Sequence, residues 1–346
     1  MKLEEFGYNF LGPILSEYFF RVFENLEKEH EIFCLAREGY FFKKIIDQLK
    51  SEELIDEKVK AKYLTVSRAA LFRFCVADAN TWAYSLSPKF KGSFSSLLHF
   101  RYAISEQDVN AIVSAQDQEV EIVLPDDMFI AEELLRKYQA QFQEVVKKSL
   151  NAYKSYLEDI GFMGSNSPVV LDIGYSGTIQ KLLCHMTSKD ISGFYFIASK
   201  PGVHAIGDCK ATMKGLFHEG IKIGDGHIML DRSLFIESLL TAPNGQLIDV
   251  EFNHLPDGEK YNFYYGAQAS TQKNFFLLES VMKGAIKAVI ENFRFNVRFN
   301  AQELDHIFEP YVTKPLVMPG GVKHLFEIDD AISGNGNISS KQLFKI

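Results

Sequence analysis

The sequence has few cysteines, and their spacing signals neither a metal site nor a disulfide framework. The 346 residues include four, at positions 34, 75, 184 and 209. None forms a C-x-x-C pair or lies near a histidine at zinc-ligand spacing, which argues against the common zinc modules. A chain of this length can bury a large core without cross-links. We therefore expect Cys34 and Cys184, which lie in apolar runs, to be small buried side chains.

Long apolar runs are also absent. No stretch approaches the roughly 18 apolar residues of a membrane span, and no continuous apolar segment typical of a secretory signal follows the first residues. We therefore expect a cytoplasmic protein without a transmembrane segment.

An excess of positive charge is lacking as well. The 37 Lys and Arg residues face 45 Asp and Glu residues, which gives a formal charge of −8. This balance argues against a nucleic acid as the main partner, because binding to its backbone needs a basic surface. The composition, 47% hydrophobic and 24% charged, is that of an ordinary folded globular protein.

Apolar strand candidates alternate with helical patterns along much of the chain. Residues 32–36 and 63–66 each form a short apolar run that ends in a polar turn, and residues 41–49 between them have a helical pattern. Residues 169–173 and 193–198 are further buried strand candidates. This order predicts an α/β fold with an open, mostly parallel sheet.

Three other segments have a different character. Residues 69–161 show few strand signals and a long helical pattern at 128–160, so we expect a largely helical insertion or cap. Residues 275–293 predict a helical C-terminal segment, and residues 320–346 a loosely structured tail. The opening residues also read as a helix, with Pro13 in its first turn. The whole chain, 1–346, is expected to form one α/β domain.

The strongest chemical signal is the loop that follows Asp172. It joins a buried strand to a helix, and backbone N–H groups at such a helix N-terminus attract phosphate. The same pattern also fits a plain turn in which a hydroxyl caps the helix. The acidic residue at the strand end favours a site, because its carboxylate is suited to bind sugar hydroxyls. The predicted phosphate-binding residues of this loop are Gly174, Tyr175, Ser176, Gly177 and Thr178.

Two better-known loops differ from it. The Gly-x-x-x-x-Gly-Lys-Ser/Thr string of a P-loop is absent. The string Val-Leu-Asp-Ile-Gly is shared with the first motif of S-adenosylmethionine-dependent methyltransferases, but here it continues Tyr-Ser-Gly-Thr instead of Gly-x-Gly. The next strand ends in Ser199-Lys200, without an acidic residue to bind a ribose. A methyltransferase is therefore the less favoured alternative.

Two other strand candidates also end in basic turns. Arg37, Glu38 and Gly39 follow the first strand, and Arg68 follows the second. In an open parallel sheet the strand ends share one edge, where ligands bind. Guanidinium groups bind phosphate in a bidentate manner. We therefore predict that Arg37, Gly39 and Arg68 join the loop after Asp172 in a polyphosphate site; the alternative is that the arginines are surface residues or partners of carboxylates.

Three strings of the sequence resemble a known family. They are residues 35–40 (LAREGY), 66–68 (VSR) and 172–180 (DIGYSGTIQ). Together they resemble a domain of bacterial surface-polysaccharide gene clusters that often accompanies a haloacid-dehalogenase-type phosphatase. In dual-domain ribofuranosyltransferases, this domain looks like the glycan phosphoribosyltransferase. The resemblance spans residues 6 to about 251 and includes Glu237, although Glu38 stands where Asp is more common and Tyr175 where Trp is common.

The resemblance implies an activity. Such a transferase moves 5-phosphoribose from 5-phosphoribosyl-1-pyrophosphate to a hydroxyl of a bacterial surface-polysaccharide acceptor and releases pyrophosphate, with Mg²⁺ carried by the diphosphate and no metal ligand from the protein. Asp172 would bind the ribose hydroxyls, and Glu38 or Glu237 would be the base. Because the chain has no Asp-x-Asp-x-Thr string, a separate phosphatase is expected to finish the product. The alternative is a non-catalytic acceptor-binding or scaffold role in polysaccharide assembly.

Overall fold

The computed structural model describes residues 1–255, 258–314 and 317–345. Its strands, in chain order, are β1 Glu31–Leu35, β2 Ala61–Leu64, β3 Phe90–Ser93, β4 Glu121–Leu124, β5 Pro168–Asp172, β6 Ile191–Ala198, β7 Gly202–Ile206, β8 Cys209–Glu219, β9 Leu247–Phe252, β10 Tyr261–Tyr265, β11 Glu327–Asp329 and β12 Asn337–Ser339.

The helices, in chain order, are α1 Leu3–Asn25, α2 Gly39–Ser51, α3 Arg68–Phe74, α4 Trp82–Leu86, α5 Phe94–Tyr102, α6 Glu106–Ile112, α7 Ala115–Gln118, α8 Met128–Lys137, α9 Gln139–Asp159, α10 Thr178–Thr187, α11 Ile228–Asp231, α12 Leu234–Leu239, α13 Ser270–Lys273, α14 Phe275–Phe295, α15 Ala301–Thr313 and α16 Ser340–Phe344. Short 3₁₀ turns occur at Ala79–Thr81, Gly320–Leu325 and Ala331–Ser333. Among these described elements, no helix is both long enough and apolar enough to cross a membrane.

The predicted α/β architecture is confirmed by a six-stranded, mostly parallel open sheet. The strand order is β2-β1-β5-β6-β8-β7, and only β7 runs antiparallel to its neighbour. From β1 the chain moves outward to β2 and later returns to β5 on the other side of β1. The direction of winding therefore changes between β1 and β5, which is where ligands bind in sheets of this kind.

Both faces of the sheet are covered, as the alternation along β1 shows. Ile32 and Cys34 belong to a core formed with α1, α2 and α14. Phe33 and Leu35 belong to a second core formed with α3, α9 and α10. A parallel sheet requires helices on both faces, because its strands are apolar on both sides. Because the helices cover the two faces, the carboxyl ends of the strands remain accessible at the edge of the sheet.

Residues 69–161 contain most of α3, then α4 to α9, and an antiparallel pair of strands, β3 and β4, which α5 to α7 separate in sequence. The helical pattern at 128–160 is divided into α8 and α9, which meet at Tyr138. At the other end of the chain, α14 and α15 form the helical C-terminal segment.

Two expectations differ from the structure. The segment expected to be a loose tail contains the β11–β12 hairpin and α16, because Phe326 and Phe344 pack against Phe235 of α12. Pro13 lies inside α1, not in its first turn, since α1 already begins at Leu3. Its ring leaves one intrahelical hydrogen bond unmade within this buried helix.

Helices α1 and α14 touch backbone to backbone. A Cβ atom at Gly7 would lie 1.7 Å from the carbonyl oxygen of Val281, and one at Gly284 would lie 1.8 Å from that of Glu4. No side chain fits between the two helices at these points. Their close contact forms the outer layer over one face of the sheet.

The first prediction concerns this helix contact. Gly7→Ala should lower the free energy of unfolding by about 1–3 kcal/mol, because the added methyl group forces the two backbones apart. The control is Gly164→Ala, at an exposed position where the nearest atom to a Cβ would be 3.8 Å away. Urea unfolding of both variants measures the difference, and equal midpoints would contradict the close packing.

Candidate functional site

A cavity of about 400 Å³ lies at the carboxyl edge of the sheet, where β1 and β5 end. It is bounded by the turns after β1, β2 and β5, by α12 and by the tail hairpin, which consists of β11, β12 and the turn between them. Its lining residues are Ala36, Arg37, Glu38, Val66, Ser67, Arg68, Asp172, Ile173, Gly174, Tyr175, Ser176, Gly177, Thr178, Ile179, Leu234, Glu237, Gln246, Ile328, Asp329, Asp330, Ile332 and Ile338.

The loop after β5 leaves backbone donors free at the start of α10. Gly177 has φ +64°, and a Cβ there would lie 2.6 Å from the sulfur of Met213, so this position requires glycine. No side chain caps the helix. The N–H groups of Gly177, Thr178 and Ile179 make no hydrogen bond to the part of the chain that the structure describes. These donors and the helix dipole favour an anionic ligand.

The loop's hydroxyl groups are also available. Ser176 Oγ and Thr178 Oγ1 lie 3.1 Å apart at the cavity wall, and Ser176 is exposed. The alternative expectation, that one of these hydroxyls caps α10, is wrong, because Gly177 occupies the N-cap position.

Lys181 holds the loop after β5 in place, and the sequence analysis did not identify it. Its buried side chain lies one turn into α10, and Nζ donates to the backbone carbonyl of Ser176 at 3.0 Å. Burial, followed by the charge of Lys200, lowers the pKa of Lys181. The spacing of four residues after Gly177 was the available signal, because residues i and i+4 share one side of a helix.

Asp172 is the last residue of β5 and is held by the turn that follows it. Its Oδ1 accepts a hydrogen bond from Gly174 N–H at 3.0 Å. Burial raises the pKa of Asp172, and hydrogen bonds from the N–H groups of Gly174 and Ile173 oppose that rise. The strand end therefore fixes a carboxyl group at the cavity wall.

Glu38 lies half-buried across the cavity from the loop. Its Oε2 accepts a hydrogen bond from Arg37 N–H at 2.9 Å. Burial, reinforced by the nearby carboxylate of Asp172, raises the pKa of Glu38 from 4.5 to about 8. The carboxyl group of Glu38 is thus mainly protonated at neutral pH in the empty cavity.

Glu237 reaches the same cavity from α12. Tyr175 donates its phenol O–H to Glu237 Oε1 at 2.6 Å. Burial and the charge of Glu237 raise the pKa of Tyr175 well above its ordinary value, so the phenol remains a donor. This bond joins the loop after β5 to a helix 62 residues further along the chain.

Both predicted arginines line this one cavity. Arg37 follows β1, and Arg68 is the first residue of α3, whose N-cap Ser67 accepts a hydrogen bond from Ala70 N–H at 3.0 Å. Within the described residues, neither guanidinium group makes a hydrogen bond or an ion pair. Both cationic groups are therefore free to bind an anion.

Gly39 is the exception among the predicted site residues, because it is not part of the cavity wall. It is the first residue of α2, and a Cβ there would lie 2.3 Å from the carbonyl carbon of Cys34. Its glycine is explained by the close packing of α2 against β1. The assignment of Gly39 to phosphate binding is corrected on this ground.

One wall was not predicted as part of a site. Gln246 precedes β9, and Ile328, Asp329, Asp330, Ile332 and Ile338 come from the tail hairpin and its turn. No local motif marks these residues, because their place depends on long-range packing of the tail.

No protein-family model matches the chain, and comparison with curated proteins gave no match. The fold is that of an α/β protein with an open, mostly parallel sheet.

The second prediction concerns the protonation of Glu38. Folding raises the pKa of the Glu38 carboxyl group from 4.5 to about 8, so the folded protein binds this proton more tightly than the unfolded chain does. The free energy of unfolding therefore falls as the pH rises from about 4.5 to about 8. The wild type should therefore lose up to about 1.4 kcal/mol per pH unit relative to Glu38→Gln in this window. Urea unfolding at pH 5 to 8.5 measures this difference. Glu133→Gln, at an exposed position, is the control, and a pH-independent difference for Glu38→Gln would contradict the buried, protonated state.

Proposed function

We propose that this protein is a phosphoribosyltransferase that moves 5-phosphoribose from 5-phosphoribosyl-1-pyrophosphate to a hydroxyl of a glycan. The observation that carries the proposal is one cavity in which two free arginines, the loop after β5 and the carboxyl groups of Asp172, Glu38 and Glu237 meet. The donor has a phosphate at one end, a diphosphate at the other and hydroxyls between them. The cavity offers a matching group for each of these parts.

The donor's two anionic ends have separate places in this proposal. The 5-phosphate binds the N–H groups of Gly177, Thr178 and Ile179, whose dipole and free donors suit a compact anion. The diphosphate binds Arg37 and Arg68, which neutralise charge as pyrophosphate departs. Mg²⁺ would enter as part of the donor, carried by its diphosphate.

The transfer step forms one bond and breaks one. The acceptor oxygen bonds to C1 of the ribose as the bond from C1 to the pyrophosphate oxygen breaks. The electron pair of that bond leaves with pyrophosphate, and the acceptor's hydroxyl proton passes to a carboxylate. Positioning and charge stabilisation supply most of the acceleration expected of such a site.

The three carboxyl groups have different roles in this mechanism. Asp172, fixed by Gly174 N–H, binds the ribose hydroxyls. Burial raises the pKa of Glu38, so less of its carboxyl group is in the ionised, proton-accepting form at neutral pH. Glu237, oriented by the phenol of Tyr175, is the base for the acceptor hydroxyl.

The third prediction concerns the diphosphate. Arg37→Ala and Arg68→Ala should each weaken binding of magnesium pyrophosphate about tenfold or more, because each removes a charge-assisted contact. Arg294→Ala is the matched control, since Arg294 pairs with Glu52 and is not part of the cavity wall. Isothermal titration calorimetry measures the affinities. Equal affinity in all three variants would remove the arginines from the donor site.

The fourth prediction concerns the product. The protein, incubated with the donor, Mg²⁺ and a glycan acceptor, should add one phosphopentose and release pyrophosphate, because no Asp-x-Asp-x-Thr string is present to remove the phosphate. Asp172→Asn should keep its fold and lose about tenfold to a hundredfold in rate. Mass spectrometry of the acceptor measures the gain.

The possible outcomes of that assay test the need for a separate phosphatase, the role of Asp172 and the non-catalytic alternative. Addition of a plain pentose would contradict the division of labour with a separate phosphatase. Unchanged turnover in Asp172→Asn would return Asp172 to a structural role. Donor binding without transfer to any acceptor would favour the non-catalytic acceptor-binding or scaffold role.

A further inference from the structure

The tail hairpin forms part of the cavity wall. Ile328 and Ile338 are directly paired across β11 and β12, and both line the cavity together with Asp329. This wall stands apart in sequence from the strand ends that provide the arginines and the phosphate-type loop. It differs from them in chemistry too, since its cavity-lining side chains are apolar or acidic.

The hairpin is anchored to the helical insertion by a buried arginine. Arg101 of α5 is fully buried, and its Nε donates to the carbonyl of Ile332 at 2.8 Å. The same guanidinium group donates to backbone carbonyls of Ser85, Pro88 and Lys89 in the insertion. A second anchor is the hydroxyl of Thr271, which donates to the carbonyl of Glu327 at 3.1 Å. The wall is therefore held in a defined position.

The two aspartates of the wall differ in what they bind. Both carboxylate oxygens of Asp330 are used, one by Ser333 Oγ at 2.9 Å and the other by Asn335 Nδ2 at 2.7 Å. Asp329 uses only Oδ1, which accepts from Ala331 N–H at 2.9 Å. Its Oδ2 has no hydrogen-bond partner among the described residues, and Asp329 is one of the residues that line the cavity. Asp329 thus offers a positioned acceptor to a ligand.

The tail hairpin lines the cavity with isoleucines and aspartates and supplies no cationic side chain among the described lining residues, so it disfavours phosphate, because a carboxylate repels a second anion at short range. The donor's phosphates are satisfied by the opposite walls, so the tail wall faces the other reactant. We propose, on the basis of the proposed transferase function, that the tail wall is the acceptor subsite and that Asp329 selects a neutral, polyhydroxylated acceptor by accepting a hydrogen bond from one of its hydroxyls. Ile328 and Ile338 contact the apolar face of the same sugar ring.

The test measures acceptor binding directly. The probes are the methyl glycosides of glucose, galactose and mannose and their three matching uronic acids, in the presence of saturating magnesium pyrophosphate. The variants are Asp329→Asn, which keeps an oxygen to accept from Ala331 N–H, and the control Asp208→Asn, which makes the same charge change at an exposed site outside the cavity. Ligand-observed nuclear magnetic resonance gives the affinities, and thermal unfolding checks that each variant is folded.

The wild type and Asp208→Asn should bind at least one neutral glycoside and bind its uronic acid about tenfold more weakly. In Asp329→Asn the neutral glycoside should bind about tenfold more weakly, and the preference over the uronic acid should fall to about threefold or less. The inference is overturned if no neutral glycoside binds the wild type, or if the preference survives in Asp329→Asn. Calorimetry with 5-phosphoribosyl-1-pyrophosphate separates the two proposals: absence of donor binding defeats the proposed function, whereas normal donor binding with an unchanged preference defeats this inference alone.

Discussion

The parallel pairing of β1 with β5 is the constraint on which the site depends. Residues Glu31 to Cys34 of β1 pair with Pro168 to Leu171 of β5, so both strands end at the same edge. Because the chain winds outward in opposite directions from these strands, their exits separate and leave a crevice. Arg37 lies on one side of this crevice, and the loop after Asp172 lies on the other. Helix α12 and the hairpin of β11 and β12 then close a space that the sheet has already defined.

Charge balance within that crevice explains its internal chemistry. Five acidic side chains line that space, and burial, reinforced by neighbouring carboxylates, raises the pKa of Glu38 and of Asp172. The guanidinium groups of Arg37 and Arg68 supply the positive charge of the same lining. The donor that we propose has anionic groups for the arginines and for the free N–H groups of the loop, and hydroxyls between them for the carboxyl groups.

Sequence patterns predicted the parts of the fold that depend on local signals. Apolar runs placed β1 and β5 to within one residue, and the glycine loop after Asp172 was located because positive φ and helix initiation have local requirements. The β7–β8 hairpin at the sheet edge was not predicted, since β8 alternates buried and exposed residues and lacks an apolar run. The contribution of Asp329 was out of reach, because it depends on contacts such as that of Arg101 with Ile332, which are 231 residues apart.

The most direct test of the central claim is a crystal structure of the protein with 5-phosphoribosyl-1-pyrophosphate and Mg²⁺. The account predicts the 5-phosphate on the N–H groups of Gly177 to Ile179, the ribose hydroxyls at Asp172, and the diphosphate between Arg37 and Arg68. Density for the donor elsewhere, or with the diphosphate on the loop and the 5-phosphate at the arginines, would contradict it.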